Sequence, residues 1–190
     1  MIDKQDFKKI REKLAKYDKD REELIKKARD VLKLAKQLIY STHRKDVKEA
    51  DELVVKLKTE KEEMDKIASS DKELVYEGSY SDAVQEYVEA MAYHGFIKNG
   101  KIPVIASLRV NEEEYLMGIC DLTGELTRKA VTIAHKDPKE VEKIKELVED
   151  IFGEFLKFDF RNGELRKKSD SIKWNLNKLE ELVYDIKKKR

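Results

Sequence analysis

Between Lys4 and Tyr40 the chain has neither a glycine nor a proline, and all 190 residues together hold only seven glycines and two prolines. Those are the two residues that end or kink helices, at about 1 and about 3 kcal/mol relative to alanine. A chain so poor in them is free to run in long helices, and its abundant lysine and glutamate favour that outcome. In the first stretch Ile10, Leu14, Tyr17, Leu24, Ala28, Val31, Leu32, Ala35, Leu38 and Ile39 recur at helical spacing, which predicts one long amphipathic helix. After Ser41-Thr42-His43-Arg44 a second charged helix is expected to about Ser69, burying Val47, Ala50, Leu53, Val54, Leu57, Met64 and Ile67.

A third helix is expected over Asp82 to Lys98, capped by Ser81 and stopped at Asn99-Gly100. Ile102 to Leu108 reads as a short helix or turn. Asn111 followed by Glu112, Glu113 and Glu114 is an N-cap with acids in the first turn, opening a helix to about His135. Asp137-Pro138 caps the next, whose inward stripe runs from Val141 to Phe155. After Arg161-Asn162-Gly163, a last helix is expected over Glu164 to Lys187. No alternating strand pattern and no repeat occurs, so the reading is an all-α bundle in a single domain, 1–190.

Lys+Arg (41) and Asp+Glu (40) nearly cancel, so any polyanion would have to be met by a local basic patch. The single cysteine, Cys120, sits in an apolar helical pattern as a small buried hydrophobe, which accords with a reducing cytoplasm. There is no secretory core at the N-terminus and no apolar run of membrane-spanning length.

Although 43% of residues are charged, two helical stretches are nearly free of charge except for paired acids. Glu86 and Glu89 lie in Gln85-Glu86-Tyr87-Val88-Glu89-Ala90, and Asp121 and Glu125 in Asp121-Leu122-Thr123-Gly124-Glu125-Leu126. Residues three or four apart share a helix face, so if the two helices pack together, four carboxylates meet. Burial and mutual repulsion disfavour such a cluster unless a cation neutralises it. Oxygen-only ligands select Mg²⁺ or Mn²⁺, and hard cations equip a site for phosphodiester hydrolysis. Glu114, Gly118, Asp121, Glu125 and Arg128 step by four, three, four and three on one stripe, where Gly118 leaves room for a ligand or a neighbouring backbone. Structural ion pairs with Arg128, Lys129 or other bases satisfy the same spacing. A di-iron carboxylate bundle would need Glu-x-x-His pairs, and His43, His94 and His135 are not spaced to supply them, reading instead as surface or packing residues.

The two acidic segments, together with Phe96-Ile97-Lys98 and Tyr115 through Leu126, resemble the hallmark segments of translin-associated factor X; Leu165 through Trp174 with Val183-Tyr184-Asp185 resembles translin. The resemblance implies a subunit of about seven helices assembled into a hollow shell, an octamer, that encloses single-stranded RNA or DNA. For the associated-factor branch it implies a Mg²⁺-dependent endoribonuclease whose acids carry over as Glu86, Glu89, Asp121 and Glu125. It places this chain with an archaeal-type homo-oligomer. The family's aromatic and basic stretch is replaced by Asp71-Lys72-Glu73-Leu74-Val75-Tyr76-Glu77-Gly78-Ser79-Tyr80, with little positive charge. Arg128 and Lys129 are therefore the candidate nucleic-acid contacts. The expected activity is cleavage of single-stranded RNA by water attack on the phosphodiester; the alternative is a non-catalytic nucleic-acid-binding shell.

Overall fold

A computed structural model describes residues 2–188. Helix α1 (Lys4–His43) opens on Asp3, whose side chain accepts from the Gln5 and Asp6 backbone N–H groups, and runs 40 residues, about 60 Å. It continues one turn past the expected end at Tyr40. Leu24, Ala28, Val31, Ala35 and Leu38 are fully buried as expected, but Ile10 and Leu14 are not: with Phe7 they lie half exposed on the first turns. A tight corner, in which Lys45 takes a left-handed φ of 60°, turns the chain into α2 (Val47–Ala68). Ala50, Leu53, Leu57 and Met64 are buried in the core, whereas Val47, in the first turn, points outward.

A single 3-10 turn (Leu74–Tyr76) leads into α3 (Gly78–Asn99). This helix begins four residues before the expected start. Ser81 is not its cap but lies within the first turn and accepts from the Gln85 side-chain amide at 3.0 Å. The start is set by Glu77, whose carboxylate accepts from the Tyr17 hydroxyl at 2.6 Å and pairs with Arg21 at 3.0 Å, so α1 dictates where α3 begins. The helix ends at Gly100, whose φ of 68° glycine adopts without steric cost.

One helical turn, α4 (Ile105–Leu108), precedes α5 (Glu112–Ile133), where the Asn111 side chain caps Glu114 N–H at 2.9 Å. Asp137 caps Glu140 N–H at 3.1 Å and Pro138 opens α6 (Pro138–Phe155); α7 (Glu164–Lys188) completes the chain. Helix α1 packs on α2 and α3, α3 on α5, and α5 on α6 and α7. The middle pair, α3 and α5, is therefore buried almost all round. Gly118 permits their approach: a Cβ there would lie 2.6 Å from the Val88 Cβ and 2.8 Å from the Gln85 carbonyl oxygen. The space left by that glycine holds helix α3, not a ligand. Among the described residues there is no strand, and no helix is long and apolar enough to cross a membrane.

Candidate functional site

Because Gly118 lets α3 and α5 touch, the acids one turn further along both helices open into the same cleft. Glu86 and Glu89 from α3 and Asp121 and Glu125 from α5 line one cavity of about 720 Å³. Lys36, Ile39 and Tyr40 of α1 form one wall, and Lys168, Ser171 and Asn175 of α7 the other. All four acids named from spacing are thus brought together. Glu114, on the same sequence stripe, is not among them; it is buried nearer the start of α5, where its side chain bonds Ser81.

The four carboxylates sit in unequal surroundings. Asp121 accepts from the Lys168 ammonium, which also donates to the Gln85 side-chain oxygen at 2.8 Å. Burial still holds the Asp121 carboxyl above its usual range against the pull of Lys168. Glu125 accepts from His43 Nε2 at 2.6 Å and lies 3.5 Å from the Arg128 guanidinium, and the histidine contact keeps it below the usual carboxylate range. Among the described residues the one base paired with Glu86 is Lys36, 4.0 Å away, and burial pushes the carboxyl up. Glu89 is 8% exposed and has no hydrogen-bond or ion-pair partner among the described residues. Burial first, then Asp121, Glu86 and Glu125, push its carboxyl to about 8.

Two residues that hold the acids of this cleft escape sequence reasoning. His43 is not a surface residue: its Nδ1 is hydrogen-bonded to the Tyr93 hydroxyl at 2.9 Å, and its Nε2–H donates to the Glu125 carboxylate. Its signal lies in the true length of α1, because Lys36, Tyr40 and His43 step by four and three along one face. Lys168 has a similar signature, with Ser171 and Asn175 three and seven residues on, lining the same wall. Of the two bases expected to meet nucleic acid, Arg128 is exposed at the cleft rim. Lys129 is 5% exposed and faces a neighbouring cavity.

The all-oxygen donor set, the absence of any partner for Glu89 among the described residues and the ammonium seated on Asp121 fit a hard divalent cation. As placed, however, no three His, Cys, Asp or Glu side chains among the described residues are gathered closely enough to chelate one ion. Lys168 draws Asp121 to one side, and His43 with Arg128 draws Glu125 to the other. A cation would have to displace the Lys168 ammonium from Asp121 to collect its ligands.

The chain is 32% identical over 169 residues to an uncharacterized protein of Methanocaldococcus jannaschii, an alignment covering 87% of this chain and 75% of that protein. It is 27% identical to translin-associated protein X of Pongo abelii, over 95% of this chain and 77% of that one. The structure of the AfC3PO–duplex RNA complex superposes with a TM-score of 0.83 at 27% identity, covering 97% of each chain. The family model described as the Translin family matches residues 19–189, nearly the whole helical bundle, and this chain belongs to that family.

Proposed function

We propose that the protein is a metal-dependent endoribonuclease of the Translin family that acts on RNA within a self-assembled shell. The observation that carries this reading is the convergence of four carboxylates from α3 and α5 in one cleft, one of them buried and unpartnered among the described residues. Glu86, Glu89, Asp121 and Glu125 would hold Mg²⁺ or Mn²⁺. Such an ion, when bound, supplies activation of water and neutralisation of charge at a phosphate. His43, fixed by Tyr93, orients Glu125 for its part, and Lys168 acts as a tethered counter-ion that keeps Asp121 tolerable until a divalent ion replaces it. Arg128 at the rim and Lys129 beyond it are the nearest bases for a strand backbone.

RNA is supported as the ligand by the relative AfC3PO, whose structure holds duplex RNA. Kinship with translin-associated protein X supports the nuclease branch. Assembly from copies of one chain is supported by the bare apolar stripe of Phe7, Ile10 and Leu14 on α1, since contiguous exposed apolar surface marks an interface.

A second reading has its own observation. Asp121, Glu125 and Glu86 each already face a base, as they would in a nucleic-acid-binding shell that cuts nothing. Labelled single-stranded and duplex RNA, incubated with Mn²⁺ or with EDTA beside Glu125→Gln, separates the two. Cleavage of single-stranded RNA that needs Mn²⁺ and falls at least about 100-fold in the variant is expected. Binding with no cleavage under any condition would leave the shell alone.

A further inference from the structure

Next to the carboxylate cleft lies a second cavity of about 740 Å³ with the opposite chemistry. Its lining includes Arg44, Lys45, Arg128, Lys129 and Lys136, set against the acids Asp137 and Glu140. The Asp137 carboxylate caps Glu140 N–H at 3.1 Å, and Glu140, 3.9 Å from Lys143, offsets only part of the positive charge around Lys129. Lys129 is the decisive residue. It is 5% exposed, yet its ammonium has no hydrogen-bond or ion-pair partner among the described residues. The ammonium itself is not sealed off but opens into the cavity, and burial of the side chain, then nearby Lys45, lower the affinity of Lys129 for its own proton, with Glu140 opposing them. Lys45 is carried there by the α1–α2 corner at a φ of 60°, a conformation costly for a side chain with a Cβ. A bundle that crowds two cations together in this way is built for an anion between them.

The cavity also adjoins the proposed site, because Tyr40 and Arg128 belong to the walls of both. We propose that this second cavity is a phosphate subsite for a nucleic-acid strand, in which Lys129 and Lys45 hold the backbone phosphate of a nucleotide flanking the one in the carboxylate cleft. The proposal rests on the RNA reading above and gives that reading a direction along the strand, from the cleft past Tyr40 toward the α1–α2 corner.

Binding of fluorescently labelled single-stranded RNA to the intact protein in EDTA, followed by anisotropy across a salt series, tests it without any cleavage step. Lys129→Met and Lys45→Gln should each weaken binding about tenfold and reduce the slope of log K against log salt by about 0.7, one single-strand phosphate. Lys157→Gln, beyond the far end of α6 and about 25 Å away along that helix, should change neither. Lys129→Met should at the same time leave the melting temperature no lower than that of the wild type, since the apolar stem is kept and no hydrogen bond among the described residues is lost; a variant that lost affinity merely through damaged packing would melt lower. If the wild-type protein binds and both cavity variants bind with its affinity and slope, this subsite is wrong while the RNA reading stands. If the wild type itself binds no RNA, the RNA reading falls and takes this with it. If inorganic phosphate raises the melting temperature in a Lys129-dependent way while RNA affinity is untouched, the cavity takes free anions and the strand assignment is overturned.

Discussion

At the scale of single residues, the cleft is a set of charges placed where each needs another. Glu89 is the clearest case, with a carboxyl held near 8, against an ordinary value of 4.5, by burial and by its acidic neighbours. Below pH 4.5 it is protonated both folded and unfolded and contributes nothing. Between pH 4.5 and 8 the unfolded chain releases the proton while the folded protein keeps it, so the folded state binds more protons and stability falls as pH rises. Above pH 8 the carboxylate is ionised in both states and the loss is complete. In EDTA, Glu89→Gln should therefore be more stable than wild type, by an amount that grows from about pH 4.5, levels off above about pH 8 and reaches on the order of a few kcal/mol. Lys168→Met should do the reverse, losing about 1–2 kcal/mol by leaving Asp121 without its ammonium, and Mn²⁺ should restore that loss. Urea unfolding at three pH values, with and without Mn²⁺, measures both. The acids of this arrangement are legible because charge is rare along the middle of α3 and of α5; their partners are not. His43 stands 82 residues before Glu125 and Lys168 stands 47 after Asp121, each on a charged helix where the one local mark is a polar face shared with residues three to seven positions away.

At the scale of elements, capping and spacing place most helices and fail where tertiary contact overrides a local signal. Asn111 and Asp137 cap α5 and α6 as their side chains dictate. The start of α3 is misread because Ser81 carries a capping side chain, whereas the boundary is fixed by Glu77 reaching Tyr17 and Arg21 on another helix. Gly118 shows the same logic in packing. In an isolated helix Gly118→Ala would gain up to about 1 kcal/mol from propensity. Here the added methyl would stand 2.6 Å from Val88 and 2.8 Å from the Gln85 backbone, and backbone cannot swing aside. The clash wins: Gly118→Ala should destabilise by about 1–3 kcal/mol and, by prising α3 from α5, should separate Glu86 and Glu89 from Asp121 and Glu125. Thermal unfolding with Mn²⁺ titration checks both consequences. Stability lowered together with weakened Mn²⁺ binding is expected; wild-type values for both would show that α3 and α5 do not depend on this contact.

At the scale of the whole molecule, α1 joins two different environments with one sequence pattern. Its apolar stripe runs through Phe7, Ile10, Leu14, Tyr17, Leu24, Ala28, Val31, Ala35 and Leu38 at helical spacing throughout. From Leu24 onward those positions are sealed by α2 and α3, but Phe7, Ile10 and Leu14 are about half exposed. Helical periodicity says which face is buried and is silent on whether the cover comes from the same chain, which is why Ile10 and Leu14 read as core. Trp174 and Tyr184 on α7 are likewise exposed, at 74% and 65%. Exposed aromatic and aliphatic surface of this kind is stable in water when another subunit covers it, and a second copy of this chain carries the same stripe to offer. Leu14→Glu and Phe7→Lys place charges on that stripe without touching the bundle core. Each should leave the helical signal and the melting of the bundle within about 0.5 kcal/mol of wild type, while lowering the native mass measured by sedimentation. Unchanged mass in both variants would mean that the bare half of α1 is not where the copies meet, and the shell would need another contact to close it.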